Sequence, residues 1–132
     1  LLLKMKKQLE IYKDVELKDE KATKIENLGE YFKITTQNST YEASIVVLAT
    51  GLHKFDIECK GVNIKDNIFV PKPNNIYLEN SNNLISKNLY VAGLASGVPT
   101  MFSCASGDGA KVACDIFTLW SGKIAVVHDV KA

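Results

Sequence analysis

The feature that most constrains this chain is an uninterrupted run of β-branched and apolar residues that ends in small residues. Ser44 to Gly51 reads Ser-Ile-Val-Val-Leu-Ala-Thr-Gly, without a charged side chain. Because a half-exposed strand alternates apolar with polar residues, this run predicts a strand buried on both faces, as in a parallel sheet. A second run, Asn88 to Gly93, has the same character. Together they predict the centre of an α/β domain.

The segments around these runs predict the remaining elements. Leu2 to Tyr12 has apolar residues at helical spacing and predicts an amphipathic helix. Pro99 is expected to open a second helix that runs to about Trp120, with Ser121-Gly122-Lys123 as its C-terminal stop. After the first helix, alternating residues with turns at Asn27-Leu28-Gly29 and Gln37-Asn38-Ser39 predict a small antiparallel meander. Residues 52–87, with loop residues such as Asn80-Ser81-Asn82-Asn83, are expected to be a connection with one or two edge strands. The strands expected before the first run are Asp14 to Leu17, Ala22 to Glu26, Tyr31 to Thr36 and Thr40 to Glu42.

Length and composition exclude several classes of function. The 132 residues are 46% hydrophobic, so residues 1–132 are expected to form one domain or part of one. The lysines are scattered and the formal net charge is +1, so the sequence predicts no basic surface for binding nucleic acid. The apolar runs are too short to span a membrane. Cys59, Cys104 and Cys114 form no CxxC pair, which favours a reducing compartment, and we expect a cytoplasmic protein.

The two apolar runs resemble motifs of a known family. Tyr41 to Gly51 resembles the "ATG" strand of thioredoxin reductase-like flavoproteins, and Asn88 to Gly93 resembles their second FAD signature. The chain therefore resembles the FAD-dependent pyridine nucleotide-disulphide oxidoreductases over most of residues 1–123. The resemblance implies an α/β, Rossmann-like three-layer FAD/NAD(P)-binding domain with a central parallel sheet and a β-meander. It also implies a flavin-dependent oxidoreductase that uses FAD, with NAD(P)H as electron donor.

The resemblance also implies where a cofactor would bind. The first N–H groups of the last helix have no intrahelical acceptor and carry the positive end of the helix dipole, so they could hold an anion or a carbonyl. In the family, the equivalent helix points at the pyrimidine edge of the flavin. No catalytic residue and no metal ligand is assigned. The cofactor-binding residues implied are Ala22, Thr50, Gly51, Gly93, Leu94, Pro99, Thr100, Met101 and Phe102.

Two departures from the family pattern bear on that site. Leu94 stands where the family has an aspartate, and a leucine accepts no hydrogen bond. The sequence also has no GxGxxG turn to hold a pyrophosphate. Either an N-terminal strand, glycine turn and helix are absent, or the chain is a degenerate module that has lost cofactor binding. The partner expected is accordingly a complementing N-terminal segment or subunit, or a second copy in a homo-oligomer.

Two other functions remain open from the sequence. One is a non-catalytic subunit that keeps the fold and serves as a protein-interaction module. The other is an enzyme that uses NAD(P) or another nucleotide without flavin. In the last helix, Gly107 and Gly109 each cost about 1 kcal/mol relative to alanine, so a packing or ligand reason is expected for them.

Overall fold

The fold comes from a computed structural model in which residues 2–70 and 73–123 are described. This part of the chain contains two α-helices, nine short strands and one 3₁₀ helix at Gly93–Ser96. The helices are α1 (Leu2–Leu9) and α2 (Phe102–Ser121). The strands are β1 (Ala22–Asn27), β2 (Phe32–Thr36), β3 (Thr40–Ala43), β4 (Val46–Leu48), β5 (Glu58–Cys59), β6 (Ile64–Asp66), β7 (Ile76–Leu78), β8 (Leu84–Ser86) and β9 (Leu89–Val91).

The strands form three small sheets. The first has the order β3-β2-β1-β5, in which β1, β2 and β3 are antiparallel and β5 runs parallel to β1. The second has the order β4-β9-β8, with β4 parallel and β8 antiparallel to the central strand β9. The third is the antiparallel pair β6-β7.

The predicted meander is present as β1-β2-β3. Its first turn uses Gly29 at a φ of 100°, a conformation that costs other residues more, and the Asn27 side chain accepts a hydrogen bond of 2.9 Å from the Gly29 amide. Phe32 pairs with Asn27 on one side and Ala43 on the other. The sequence places Phe32 at an inward position, and its side chain is buried.

The central strand β9 connects the two apolar clusters. Successive side chains of a strand point to opposite faces. Leu89 and Val91 pack in the cluster that includes Ile25 and Phe32 of the meander, and Tyr90 packs in the other cluster with Val112 of α2. The meander and α2 therefore cover opposite faces of β9.

Helix α2 starts later than predicted and ends where predicted. Pro99 lies before the helix, whose N-cap residue is Met101 in an extended conformation without a side-chain cap. At the other end, Gly122 adopts a φ of 71° and its amide donates to the Thr118 carbonyl at 2.9 Å. This left-handed glycine closes the last turn in the usual way.

The predicted three-layer domain with a central parallel sheet is wrong. In the described ranges, the only parallel pairs are β4–β9 and β1–β5, and the sheets are small and mixed or antiparallel. Residues 52–87, expected to be a connection with one or two edge strands, contain four short strands. These strands pair in hairpins or with the meander, so they do not extend a parallel sheet.

The prediction that the run from Ser44 to Gly51 is buried on both faces is also wrong. Only Val46–Leu48 is strand, and it pairs on one side alone, with β9. The Val47 side chain is 41% exposed. The residue types suit a central strand, but the position of β4 at the edge of its sheet leaves one side without a neighbour in the described part.

Two smaller expectations also fail. Helix α1 ends at Leu9 rather than Tyr12, and the segment Asp14 to Leu17 forms no strand.

A Cβ added to Gly107 or Gly109 would meet no atom within 4 Å, so the described part of the chain gives no packing reason for either glycine.

In the described ranges, neither helix combines the length and the apolar character needed to cross a bilayer.

Candidate functional site

Parallel pairing of β4 and β9 brings two of the predicted segments to the same end of their sheet. Leu48 pairs with Val91, and the Ala92 amide donates to the Leu48 carbonyl at 2.9 Å. Because the strands run in the same direction, the residues that follow each of them leave the sheet at the same end. These residues are Thr50 and Gly51 after β4, and Gly93 and Leu94 after β9.

The start of α2 lies over the same end of the sheet. A Cβ on Gly93 would stand 4.0 Å from the Ala105 carbonyl oxygen, one turn into the helix. Met101 and Phe102 begin this helix with exposed side chains. We call this region the strand-end site, defined by Thr50, Gly51, Gly93, Leu94, Pro99, Thr100, Met101 and Phe102.

Ala22, the remaining predicted residue, meets Thr50 at a small cavity of about 320 Å³ beside the strand-end site. Lys21 and Lys54 lie at this cavity, and Lys21 Nζ is 2.7 Å from Asp56 Oδ2. The hydrogen bond and charge of Lys21, with the charge of Lys54, lower the pKa of Asp56. The cavity is therefore polar on this side and carries one more cation than anion.

Asp108 of α2 accepts hydrogen bonds from polar groups at and next to the strand-end site. Asn83 Nδ2 donates to both carboxylate oxygens at 2.9 Å, and the Gly93 amide donates to Oδ2 at 2.8 Å. Ser96 Oγ lies 2.8 Å from Oδ2 and 2.8 Å from the Gly93 carbonyl oxygen, so its single proton serves one of them at a time. One carboxylate thus joins α2, the 3₁₀ helix and the residues before β8.

Asn83 is the second centre of this network. Its side chain is buried, and it also donates to the Val91 carbonyl at 3.1 Å and accepts from Lys111 Nζ at 2.9 Å. Its φ of 72° is tolerated by asparagine better than by most side chains. Lys111 in turn lies 3.1 Å from Asp115 on the surface of α2. We call the set Asn83, Gly93, Ser96, Asp108 and Lys111 the Asp108 network.

The sequence did not predict this network. Its only signal was a single carboxylate among the small residues of the last helix, and Asn83 lay in a segment read as a loop. The contact of Asp108 with Gly93 spans 15 residues and that with Asn83 spans 25. Local periodicity carries no information about such contacts, since they depend on how the elements pack.

The described residues do not form a metal or disulfide site. No three histidine, cysteine or acidic side chains of residues 2–70 and 73–123 come together as ligands. Cys59, Cys104 and Cys114 are free and half-buried. Burial raises the pKa of the Cys59 thiol, which keeps it protonated and a poor nucleophile at neutral pH.

Comparison with known proteins identifies the fold. No family model and no curated protein matches the sequence. Two solved structures of a ferredoxin-flavin thioredoxin reductase from Clostridium acetobutylicum do match. The fold is similar to theirs. One has a TM-score of 0.62 at 15% identity and covers 92% of this chain and 78% of that chain. The other has a TM-score of 0.64 at 12% identity and covers 91% and 77%.

These matches correct the family suggested by the motifs. The similar structures are named for ferredoxin, so the assignment to the pyridine nucleotide-disulphide oxidoreductases is wrong, together with the Rossmann-like nucleotide-binding domain and the FAD-dependent function that it implied. At identities of 15% and 12%, the likeness establishes the fold alone.

The predicted cofactors are corrected for the same reason and for a physical one. Neither FAD nor NAD(P)H is supported by the similar structures, whose name specifies neither. The Gly93 amide, expected to face a cofactor, donates to Asp108 instead. Leu94 has no polar side-chain atom to replace that donor. Of the nine residues expected to bind a cofactor, Gly93 therefore uses its amide inside the protein and Leu94 has an apolar side chain.

Proposed function

We propose that the chain is a component of a reductase of the ferredoxin-flavin thioredoxin type, which takes electrons from ferredoxin and passes them to thioredoxin. The observation that carries the proposal is the shared fold, which covers 92% of this chain and 78% of a solved reductase chain. Three free cysteines suit a reducing compartment, and we place the protein in the cytoplasm.

The described residues do not complete a flavin site. A backbone amide of the strand-end site is taken by Asp108 at 2.8 Å, and the neighbouring side chain is that of Leu94. Gly51 has a φ of 79° and open space around it, so it leaves room for a group without supplying a polar side chain. We therefore infer that this chain does not hold a flavin without a complementing part.

We also propose that the pair of thiols that reduces the disulfide lies on a complementing segment or subunit. Reduction of a protein disulfide by thiol exchange proceeds through paired thiols, as in a CxxC motif. The sequence has no CxxC, and the thiol of Cys59 is held protonated by burial. We infer that a complementing segment or subunit carries the redox groups, and that this chain contributes the surface that meets it or the protein substrate.

The strand-end site is the surface that we propose for this contact. Met101 and Phe102 expose large apolar side chains at the start of α2, and Thr50 is also exposed. Aromatic and methionine side chains are enriched at protein interfaces, and the first N–H groups of α2, which have no side-chain cap, are free to donate to a partner. The Asp108 network holds the backbone beneath them in one conformation, which lowers the entropy lost on binding.

A matched pair of variants tests the proposal. Met101 and Leu119 are each 56% exposed, the first at the strand-end site and the second near the far end of α2. Binding of ferredoxin and of oxidised thioredoxin to the purified chain would be measured by titration calorimetry. We expect at least one of them to bind, and Met101→Asp to weaken that binding about tenfold, the effect of about 1.4 kcal/mol of lost contact. Leu119→Asp should leave it unchanged.

Two results would overturn this proposal. If neither protein binds the chain at concentrations up to the millimolar range, the strand-end site is not a contact surface for ferredoxin or thioredoxin. If Leu119→Asp weakens binding as much as Met101→Asp, the contact surface is not the strand-end site. Circular dichroism of both variants checks that neither loss results from unfolding.

A further inference from the structure

A second and larger cavity lies at the opposite end of the β4-β9-β8 sheet from the strand-end site. It measures about 500 Å³ and lies between the meander and the turn that joins β8 to β9. Leu89, the first residue of β9, lines it, whereas the strand-end site follows the last residue of that strand. Its volume falls in the range of roughly 300–1,000 Å³ that is typical of small-molecule sites.

The walls of this cavity are apolar. Ile25 of β1, Phe32 of β2 and Leu89 of β9 are buried in the core and present parts of their side chains to the space. Leu28, in the turn after β1, is half exposed at its edge. A ligand that displaces water from these walls gains about 25 cal/mol for each Å² of apolar surface removed from water.

The charges around the cavity cancel. Lys24 and Lys60 lie at it with Glu26 and Glu58. Lys24 Nζ is 4.0 Å from Glu26 Oε1 and 3.9 Å from Glu58 Oε2, so this cation lies between two carboxylates. A charged ligand would lose its hydration in the apolar interior without a net opposite charge to compensate.

The lining also contains uncharged polar groups. They include the side chains of Asn27 and Ser86 and the thiol of Cys59. Burial raises the pKa of the Cys59 thiol, which remains protonated at neutral pH. Apolar walls with a few neutral hydrogen-bonding groups are the usual composition of a site for a small organic molecule.

We propose that this cavity is a binding site for an uncharged, largely apolar small molecule. The site shares no lining residue with the cavity beside Thr50, so it is independent of the proposed function. Binding here would link the meander to β8 and β9, since their side chains together form the walls.

The uncharged dye Nile red tests the proposal, because its fluorescence rises when it leaves water. We expect saturable binding to the purified chain with one dye per chain. Leu28→Trp adds bulk at the half-exposed edge of the cavity, and Cys59→Phe fills its interior; each should weaken binding at least tenfold. The matched control is Trp120→Ser, because Trp120 is 70% exposed on α2, away from the cavity, and its loss should leave the affinity unchanged.

Competition with charged and uncharged molecules tests the chemical class. 1-Octanol should displace the dye at a concentration at least tenfold lower than octanoate or octylammonium. Bound dye should also slow the alkylation of Cys59 by iodoacetamide and leave that of Cys114 unchanged.

Three results would overturn the inference. The dye could fail to bind, or it could bind in a way that Trp120→Ser abolishes and Leu28→Trp does not, which would locate it on the exposed surface of α2. Displacement by octanoate or octylammonium as effective as that by 1-octanol would refute the uncharged class. Leu28→Trp lies at a half-exposed position, so it keeps the test valid even if Cys59→Phe does not fold.

Discussion

Strands β4 and β9 are parallel neighbours with nearly the same kind of sequence, yet their environments differ. Leu89, Tyr90 and Val91 of β9 are all buried, with β4 on one side and β8 on the other. In β4, only Leu48 is buried, and Val47 is 41% exposed. The apolar character of a run therefore shows that it can be buried, whereas the number of neighbouring strands decides whether it is.

The residues that follow these two strands also differ in how closely they are packed. The end of β9 is closed by the Asp108 network, which uses the Gly93 amide and the Ser96 hydroxyl. The end of β4 is open, since a Cβ at Gly51 would meet no atom within 4 Å. The strand-end site thus has one rigid wall and one accessible wall, an arrangement suited to docking a partner against a fixed surface.

The largest effect is expected at the closed end of β9. Asp108→Ala leaves the Gly93 amide, the Asn83 amide group and the Ser96 hydroxyl without their shared acceptor. Loss of a part-buried carboxylate with several donors should lower the free energy of unfolding by about 3 kcal/mol. Urea denaturation of the variant and the parent measures the difference.

Asp115→Ala is the matched control for Asp108→Ala. Both residues are on α2, but among residues 2–70 and 73–123 Asp115 pairs with Lys111 alone, at the surface and at 3.1 Å. Such an exposed pair contributes at most about 1 kcal/mol. Equal destabilisation by the two variants would contradict the structural role given to the Asp108 network.

Alanine substitutions compare the two strands directly. Val91 is fully buried, so Val91→Ala should cost roughly 2 kcal/mol through lost burial and a residual cavity. Val47 is at the edge of the sheet, and Val47→Ala should cost less than about 1 kcal/mol. Chemical denaturation of both variants checks the order; a larger cost at Val47 would show that β4 is covered on its free side.

Alanine substitutions at two glycines compare the closed end of β9 with the open end of β4. Gly51 and Gly97 both have positive φ, 79° and 95°, so alanine should cost about 1 kcal/mol at each from backbone strain. A Cβ at Gly97 would also lie 3.2 Å from Tyr77 Cδ2, whereas Gly51 has open space. Gly97→Ala should therefore lower the thermal midpoint more than Gly51→Ala. Equal shifts would contradict the difference in packing.

The smallest effect is expected at Glu20, which precedes β1 and contacts the meander. The hydrogen bonds that Glu20 accepts from Tyr41 and Thr36 lower the pKa of Glu20 from its ordinary value of 4.5. A lowered folded-state pKa stabilises the fold above the unfolded-state value and is lost as pH falls through the folded-state value. Thermal midpoints should thus fall below pH 4.5, and Glu20→Gln should reduce that fall. An unchanged profile in the variant would show that this carboxylate is not responsible.

The sequence predicted elements whose contacts are local. The meander was predicted because Asn27, Gly29 and the alternation after them act within a few residues. The end of α2 was predicted from Gly122 for the same reason.

Contacts between distant residues were not predictable in this way. Strand β5 has two residues and pairs with β1 across more than thirty positions, from Cys59 to Ile25. The edge position of β4 and the carboxylate contacts of Asp108 likewise depend on the packing of elements distant in the chain. Of the predicted site residues, Thr50, Gly51, Gly93 and Leu94 lie at one end of the β4-β9 pair, because parallel pairing places both strand ends there.

The most direct test of where the redox group binds is the visible absorption spectrum of the purified chain after incubation with FAD or FMN and desalting. We propose that this group belongs to a complementing part, because the Gly93 amide is bound to Asp108 and Leu94 supplies no polar side-chain group. We therefore expect a colourless protein with either flavin. Flavin bands retained at close to one equivalent per chain would contradict it.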